Sequence, residues 1–306
     1  MQRSPPEILT SSGTILWSSY PVIESRHMLR VIYNPVAGPK MVRKIDRVGD
    51  VLSGSGIPFE ILKTSGPGDA TLLAREAAYS GADAVLAVGG DGTINEVANG
   101  LAGSPTRLAV VPHGTGNVFA DEIGLPETVE GCLALLSGGA TIEIPLARAD
   151  GRYFVLMASA GFDAEVVERM EARQKRYLGI AAYVLAGMRH LFRRQPTLWM
   201  EFPGRERMEA QAVIVCRGKM YGGGVTMAPA ANLSANSFQV VALRKAGRWA
   251  IIRFTLDALR GKHAGSSSVH IREATALLVR SRIPSAAQVD GDYLGPLPVR
   301  FEMTDV

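Results

Sequence analysis

Apolar residues along this chain follow two successive patterns. From Leu29 to about residue 146, short apolar runs alternate with amphipathic stretches. The runs are Leu29-Arg30-Val31-Ile32-Tyr33, Phe59-Glu60-Ile61-Leu62, Ala84-Val85-Leu86-Ala87-Val88 and Leu108-Ala109-Val110-Val111. Runs this short, bounded by turn residues, predict strands of a parallel sheet buried on both faces. Helical spacing predicts helices near 39–53, 68–80, 94–102 and 127–137, with Ile94, Val97, Ala98 and Leu101 sharing one face of the third. Strand and helix in alternation predict a doubly wound α/β lobe over residues 28–146. After Ile144-Pro145 the pattern changes. Short runs at 153–159, 197–203, 210–217, 238–243, 269–271, 275–280 and 286–290, separated by Gly, Pro and Asn, predict an antiparallel β-sandwich over 147–294. Two helical insertions, 165–193 and 247–260, interrupt it.

The turns of the first lobe carry the candidate chemistry. The strands run into Asn34-Pro35-Val36-Ala37-Gly38, Thr64-Ser65-Gly66, Gly89-Gly90-Asp91-Gly92-Thr93-Ile94-Asn95-Glu96 and Pro112-His113-Gly114-Thr115-Gly116-Asn117. In a parallel sheet these turns open at the C-terminal edge, where ligands bind. Glycines let backbone amides approach a phosphate, and the helix that follows adds its free N–H groups and positive dipole end. Asp91 would repel a phosphate unless a divalent cation lies between them, which points to a nucleoside triphosphate with Mg²⁺ rather than a bare dinucleotide. Asp91 is then a candidate metal ligand, direct or through water. Gly89, Gly90, Gly92, Thr93, Asn95, Thr64, Gly114, Thr115, Gly116 and Asn117 are candidate nucleotide contacts, with Asn34 beside them. Glu96 either holds a ribose or orders the loop. The same turn also reads as a tight strand-to-helix connection with Asp91 and Thr93 as caps. GxxxxGK[ST] does not occur in the chain, so the phosphate site relies on backbone rather than a P-loop lysine.

Taken in order, NPxxG at Asn34–Gly38, GGDGT at Gly89–Thr93 and PxGTGN at Pro112–Asn117 make the chain resemble the diacylglycerol kinase catalytic-domain family, in its soluble bacterial lipid-kinase branch. Later segments agree: Gly161-Phe162-Asp163-Ala164, the stretch from Gly222-Gly223-Gly224 to Ala228-Pro229-Ala231, and Asp290-Gly291-Asp292. The resemblance covers about residues 28–301. It implies a nucleotide lobe and a sandwich lobe with the site between them, and a C-terminal tail, 295–306, that returns to the first lobe. It also implies transfer of the γ-phosphoryl group of ATP to a lipid hydroxyl, with diacylglycerol as the default acceptor. Asp292 is then the candidate base and Asp290 a candidate metal ligand; read without the resemblance, Asp-Gly is a β-turn signal. The chain departs from the family twice. Asp292 stands where the family usually has Glu. Leu233-Ser234-Ala235-Asn236-Ser237-Phe238 lacks the Asp-Gly pair that relatives use for a structural Mg²⁺, leaving carbonyls and Asn236 as weak cation donors. The alternatives are an NAD kinase or a non-catalytic nucleotide- or lipid-binding protein.

Composition changes this picture little. A net charge of +4 suits anionic partners, and the reading takes these to be nucleotide and lipid headgroups, with no nucleic acid and with room for a homodimer. Cys132 and Cys216 make no disulfide framework and suit a cytoplasmic protein. No apolar run reaches the roughly 20 residues that span a bilayer, and residues 1–27 do not read as a signal peptide. Between Glu168 and Arg194, Arg169, Arg173, Lys175, Arg176, Arg189, Arg193 and Arg194 flank an apolar stretch. That segment reads equally as a helix lying on an anionic membrane and as one packed on the sandwich with solvated arginines.

Overall fold

The computed structural model describes residues 18–19, 28–38, 40–169, 196–204, 206–244 and 247–306. The first lobe is a four-stranded parallel sheet. Its strands are β1 (Leu29–Tyr33), β2 (Phe59–Lys63), β3 (Ala84–Gly89) and β4 (Arg107–Pro112), in the spatial order β2-β1-β3-β4. Helices α1 (Met41–Ser55) and α5 (Val129–Gly138) cover one face, where Val31, Leu86, Val88 and Val111 meet Ile45, Val48, Leu52 and Leu133. Helices α2 (Asp69–Tyr79) and α3 (Asp91–Leu101) cover the other, where Ile32, Val85 and Ala87 meet Ala70, Ala74, Ile94 and Val97. With both faces covered, the central strand β3 is buried throughout, which is why it carries no polar alternation. The order in which strands are added reverses between β1 and β3, which run parallel, and in such sheets a crevice opens there at the ends of the strands. Short helix α4 (Val118–Glu122) follows β4.

The second lobe is a sandwich of two six-stranded antiparallel sheets. One contains β5 (Ala147–Ala149), β6 (Arg152–Phe154), β8 (Leu198–Glu201), β9 (Arg207–Ala210), β13 (Ala276–Ser281) and β16 (Val299–Met303). The other contains β7 (Met157–Gly161), β10 (Ala212–Cys216), β11 (Phe238–Leu243), β12 (Val269–Ala274), β14 (Ala286–Val289) and β15 (Asp292–Pro296). Inward residues of both sheets form one core, including Phe154, Leu198, Met200, Val213, Val240, Val279 and Phe301. Phe154 and Phe301 meet edge to face with ring centroids 6.4 Å apart. Helix α6 (Phe162–Arg169) follows β7, and α7 (Arg248–Leu259) packs on the outer face of the second sheet.

The C-terminal tail, 295–306, divides between the lobes: its end lies against the first, where a Cβ on Gly103 would stand 3.9 Å from Val306 Cγ1. Val299–Met303 pairs inside the sandwich, between Ala276–Ser281 and Ala147–Ala149. Only the last residues run back along the connection, where the Leu146 amide donates to the Val306 carbonyl at 2.8 Å. The carbonyls near Asn236 are not left to a cation. Leu233, Ala235 and Ser237, with Pro145, all accept from the buried Arg217 guanidinium. Burial pushes the Arg217 pKa down to about 10, so it stays charged and pins this loop to the connection between lobes. The candidate membrane segment within 168–194 lies outside the described residues from 170 onward. No helix among the described residues is long and apolar enough to cross a membrane.

Candidate active site

The two glycine turns of the first lobe touch. A Cβ on Gly114 would stand 2.7 Å from the Gly90 Cα, and one on Gly90 would stand 3.3 Å from the Gly114 Cα. Backbone meets backbone here, so neither turn can move away cheaply. The His113 amide adds a 2.7 Å bond to the Gly89 carbonyl. Asn117, left-handed at φ 52°, closes the second turn by accepting from the Gly114 amide at 2.7 Å. Thr93 is buried and packs its side chain over Gly89. Gly92 differs from these neighbours: a Cβ there would meet nothing within 4 Å. The fold itself leaves the space above the first turn of α3 open.

Asp91 joins the turns electrostatically. Its Oδ2 accepts from the Val118 amide at 3.1 Å and its Oδ1 from the Phe119 amide at 2.9 Å. The carboxylate therefore caps α4 rather than its own helix, and each oxygen keeps a second lone pair. Glu96 also caps a neighbour. Its two oxygens accept from the Gly68 and Ala70 amides at 3.0 and 3.2 Å, at the start of α2, so it orders the loop instead of offering itself to a ribose. Thr64 is buried at the end of β2, and Asn34 accepts from the Val36 amide at 3.0 Å to close its own turn.

Asn95, a candidate nucleotide contact, is engaged by the protein itself. It is 3% exposed and its amide points at the second lobe, donating to Asp290 Oδ2 at 2.6 Å and to the Tyr153 carbonyl at 3.3 Å. One turn later, Asn99 exchanges two bonds of 3.0 Å with the Tyr153 backbone. The sequence signal for this seam is a pair of asparagines at i and i+4, Asn95 and Asn99, on the helix face that also carries buried apolar residues.

Asp290, a candidate metal ligand, is engaged by protein donors. Its two oxygens already accept four bonds, from Asn95 and from the Val155, Leu156 and Met157 amides, at 2.6 to 3.0 Å. Those four donors fill the carboxylate's lone pairs. Burial is the dominant influence and pushes its pKa up to about 6; the three amides pull it down and Asp91 nearby raises it. Asp290 sits at φ 45°, so the Asp-Gly turn aims this side chain inward. Asp292, two residues on, is 51% exposed at its side chain and is paired with Arg152 at 3.0 Å.

Further bonds close a ring around this cleft. Glu122, at the end of the helix that Asp91 caps, accepts from the Lys219 and Met220 amides, both at 2.9 Å. The next residue, Tyr221, donates its hydroxyl to Asp163 Oδ1 at 2.5 Å. Asp163 also accepts from Ser159 at 2.6 Å and from Gln288 at 3.2 Å. Gln288 in turn accepts from the Gly291 amide at 2.8 Å, inside the Asp290–Asp292 loop. From there Asp290 and Asn95 lead back to the helix that Asp91 begins. Both lobes thus share one polar circuit; Asp91 lies on it, and Asp292 follows its Gly291, with its side chain paired to Arg152.

The comparisons with known proteins concern this arrangement. Residues 28–149 match the diacylglycerol kinase catalytic domain, and residues 156–305 match the YegS C-terminal NAD kinase beta sandwich-like domain. A diacylglycerol kinase of Bacillus subtilis (strain 168) is 34% identical over 278 residues, spanning 89% of this chain and 92% of its own. The chain belongs to the diacylglycerol kinase family. A diacylglycerol kinase of Staphylococcus aureus (strain JH9) is 29% identical over 282 residues, 90% of this chain and 89% of that one. The crystal structure of a diacylglycerol kinase from Bacillus anthracis str. Sterne superposes with a TM-score of 0.74 over 90% of this chain and 94% of that one, at 24% identity. At that identity the likeness establishes a shared fold. Within the family frame, the contacting glycine turns fall in the catalytic-domain match. The loop Asp290–Asp292 falls in the sandwich match.

Proposed function

We propose that this protein is an ATP-dependent lipid kinase that moves the γ-phosphoryl group of ATP to a hydroxyl of diacylglycerol. The observation that carries the reading is the contact between Gly90 and Gly114 at the C-terminal ends of the neighbouring strands β3 and β4, in a chain 34% identical to a diacylglycerol kinase over most of its length. The first-turn amides of α3 have no acceptor within their own helix and stand at its positive end. Triphosphate bound over Gly92 meets these amides where the fold leaves room, with Thr115 and Gly116 of the second turn as the facing wall.

Among the described residues no group of three or more His, Cys, Asp or Glu is placed to hold a metal ion. Mg²⁺ that arrives with a nucleotide needs only one or two carboxylates besides phosphate and water. Asp91, with a spare lone pair on each oxygen, fits that part. When bound, Mg²⁺ supplies charge neutralisation on the phosphates.

Asp292 is the residue we assign to the acceptor hydroxyl, since its carboxylate is exposed in the loop that holds Gly291 of the ring. It takes the hydroxyl proton as the lipid oxygen forms its bond to the γ-phosphorus and the bond to ADP breaks. Arg152 holds its carboxylate in place. The protein works at the cytoplasmic face of a membrane, as a peripheral enzyme. The match of the second lobe to an NAD kinase-like sandwich keeps NAD as the second acceptor to test. ADP release is measured with Mg²⁺-ATP and, in turn, diacylglycerol, monoacylglycerol, sphingosine or NAD. Turnover with diacylglycerol is expected, and turnover with NAD alone would replace this reading.

A further inference from the structure

Helix Arg248–Leu259 turns two different faces outward and inward. Ile251 and Ala258 are buried, with Phe254 packed beside them against Met227, Ala228, Leu243 and Val269. On the opposite side Trp249, Leu256 and Leu259 are exposed by 72%, 44% and 64%. At 3.6 residues per turn these three fall along one stripe. Arg253 and Arg260 flank the stripe on one edge and Arg248 on the other, all exposed, and Lys262 follows the helix end. The single acid of the helix, Asp257, is paired with Arg253 at 3.5 Å. Large apolar side chains left in water in a contiguous row mark a docking surface. Four cations against one paired acid select an anionic partner.

We infer that this stripe is where the protein seats itself on a bilayer rich in anionic phospholipid, with Trp249, Leu256 and Leu259 entering the headgroup boundary and Arg248, Arg253 and Arg260 meeting phosphates. The inference rests on the lipid-kinase reading and says which face meets the lipid. Tryptophan and arginine suit that boundary because each has an apolar body and a polar end. The helix is also well placed for the site. Ile251 packs near Phe162, and the next residue, Asp163, is the hub of the polar ring.

The full chain is mixed with vesicles of phosphatidylcholine alone or with phosphatidylglycerol. With the anionic vesicles, tryptophan emission shifts to the blue and is quenched by brominated acyl chains, and Trp249→Phe loses that response. Leu256→Gln combined with Leu259→Gln lowers vesicle partitioning by about tenfold or more. Arg248→Gln, Arg253→Gln and Arg260→Gln together remove the preference for phosphatidylglycerol. Both sets keep wild-type phosphorylation of short-chain diacylglycerol in detergent micelles. Vesicle binding unchanged in both sets overturns the inference, as does a wild type that ignores vesicles while remaining active in micelles. A wild type that is dimeric without lipid, and monomeric once Leu256 and Leu259 are changed, would assign the stripe to a second copy instead. Micelle inactivity with intact, variant-sensitive vesicle binding would sink the kinase reading and leave this surface standing.

Discussion

Asn95 Nδ2 lies 2.6 Å from Asp290 Oδ2, and this bond ties the helix after the first glycine turn to the loop of the opposite lobe. Asn95 is buried and Asp290 half-buried with its carboxylate held by four donors, so neither group turns freely to water if the other is removed. Asn95→Leu leaves a buried carboxylate one donor short and should lower the unfolding free energy by about 1–3 kcal/mol. Asn95→Asp sets a second carboxylate against the first and should cost more, roughly 3–5 kcal/mol. Urea unfolding reads both; wild-type stability in either would show that the seam does not depend on this bond.

Asp290 also sets a pH dependence. Its pKa is raised to about 6 in the folded protein, so between about pH 4 and 6 the native state binds more protons than the unfolded state. Stability from this group is therefore full below the unfolded pKa and falls as pH rises through the folded one. Measured against Asp290→Asn, wild-type unfolding free energy should drop by up to roughly 3 kcal/mol across that window. The opposite slope would mean that the four donors to the carboxylate outweigh its burial.

The glycines of the turns separate by role. Gly114→Ala puts a Cβ 2.7 Å from the Gly90 Cα and must push the two turns apart. It should cost both stability and nucleotide binding. Gly92→Ala meets no protein atom within 4 Å. It should fold at least as well as wild type, by up to about 1 kcal/mol from helix propensity, yet weaken ATP binding. Calorimetry with ATP separates the two; undiminished affinity in Gly92→Ala would move the triphosphate elsewhere.

Much of this was legible in the amino-acid sequence. Unbroken apolar runs such as Ala84–Val88 mark strands buried on both faces, and the change of pattern after Pro145 marks the sandwich. The glycine turns were legible because strand, glycines and helix follow one another in sequence. The partners of each polar side chain were not. Asp91 caps a helix that begins 27 residues later, Glu96 caps one that begins 27 residues earlier, and Asn95 answers Asp290 across 195. Local pattern does not encode contacts of that separation. For the same reason nothing in the local pattern singles out Gln288, Glu122 or Arg152, whereas Asp163 and Tyr221 lie in or beside motifs. The basic segment ending at Arg194 drew attention by charge alone. The stripe on Arg248–Leu259 needed the fold to show which face the sandwich leaves uncovered.

Asp292 and the residues that hold its loop should differ in kinetics. Asp292→Asn should lower lipid phosphorylation by about 10²–10⁴ while ATP affinity stays near wild type, because the base acts on the acceptor. Tyr221→Phe or Gln288→Leu acts only through the loop and should lower kcat about 10- to 100-fold with KM for ATP unchanged. Asp292→Glu keeps a carboxylate and should retain activity where Asp292→Asn loses it. Full activity in Asp292→Asn would send the hydroxyl proton by another route.

The most direct measurement is transfer of label from γ-³²P-ATP into diacylglycerol presented in detergent micelles to the full chain with Mg²⁺. The expected result is labelled lipid in the organic phase, dependent on Mg²⁺ and lost in Asp91→Asn, where removal of one electrostatic stabiliser costs about 10²–10³ in rate. Label that stays in nucleotide or inorganic phosphate, with no lipid product from a folded protein that binds ATP, would contradict the assignment as a diacylglycerol kinase.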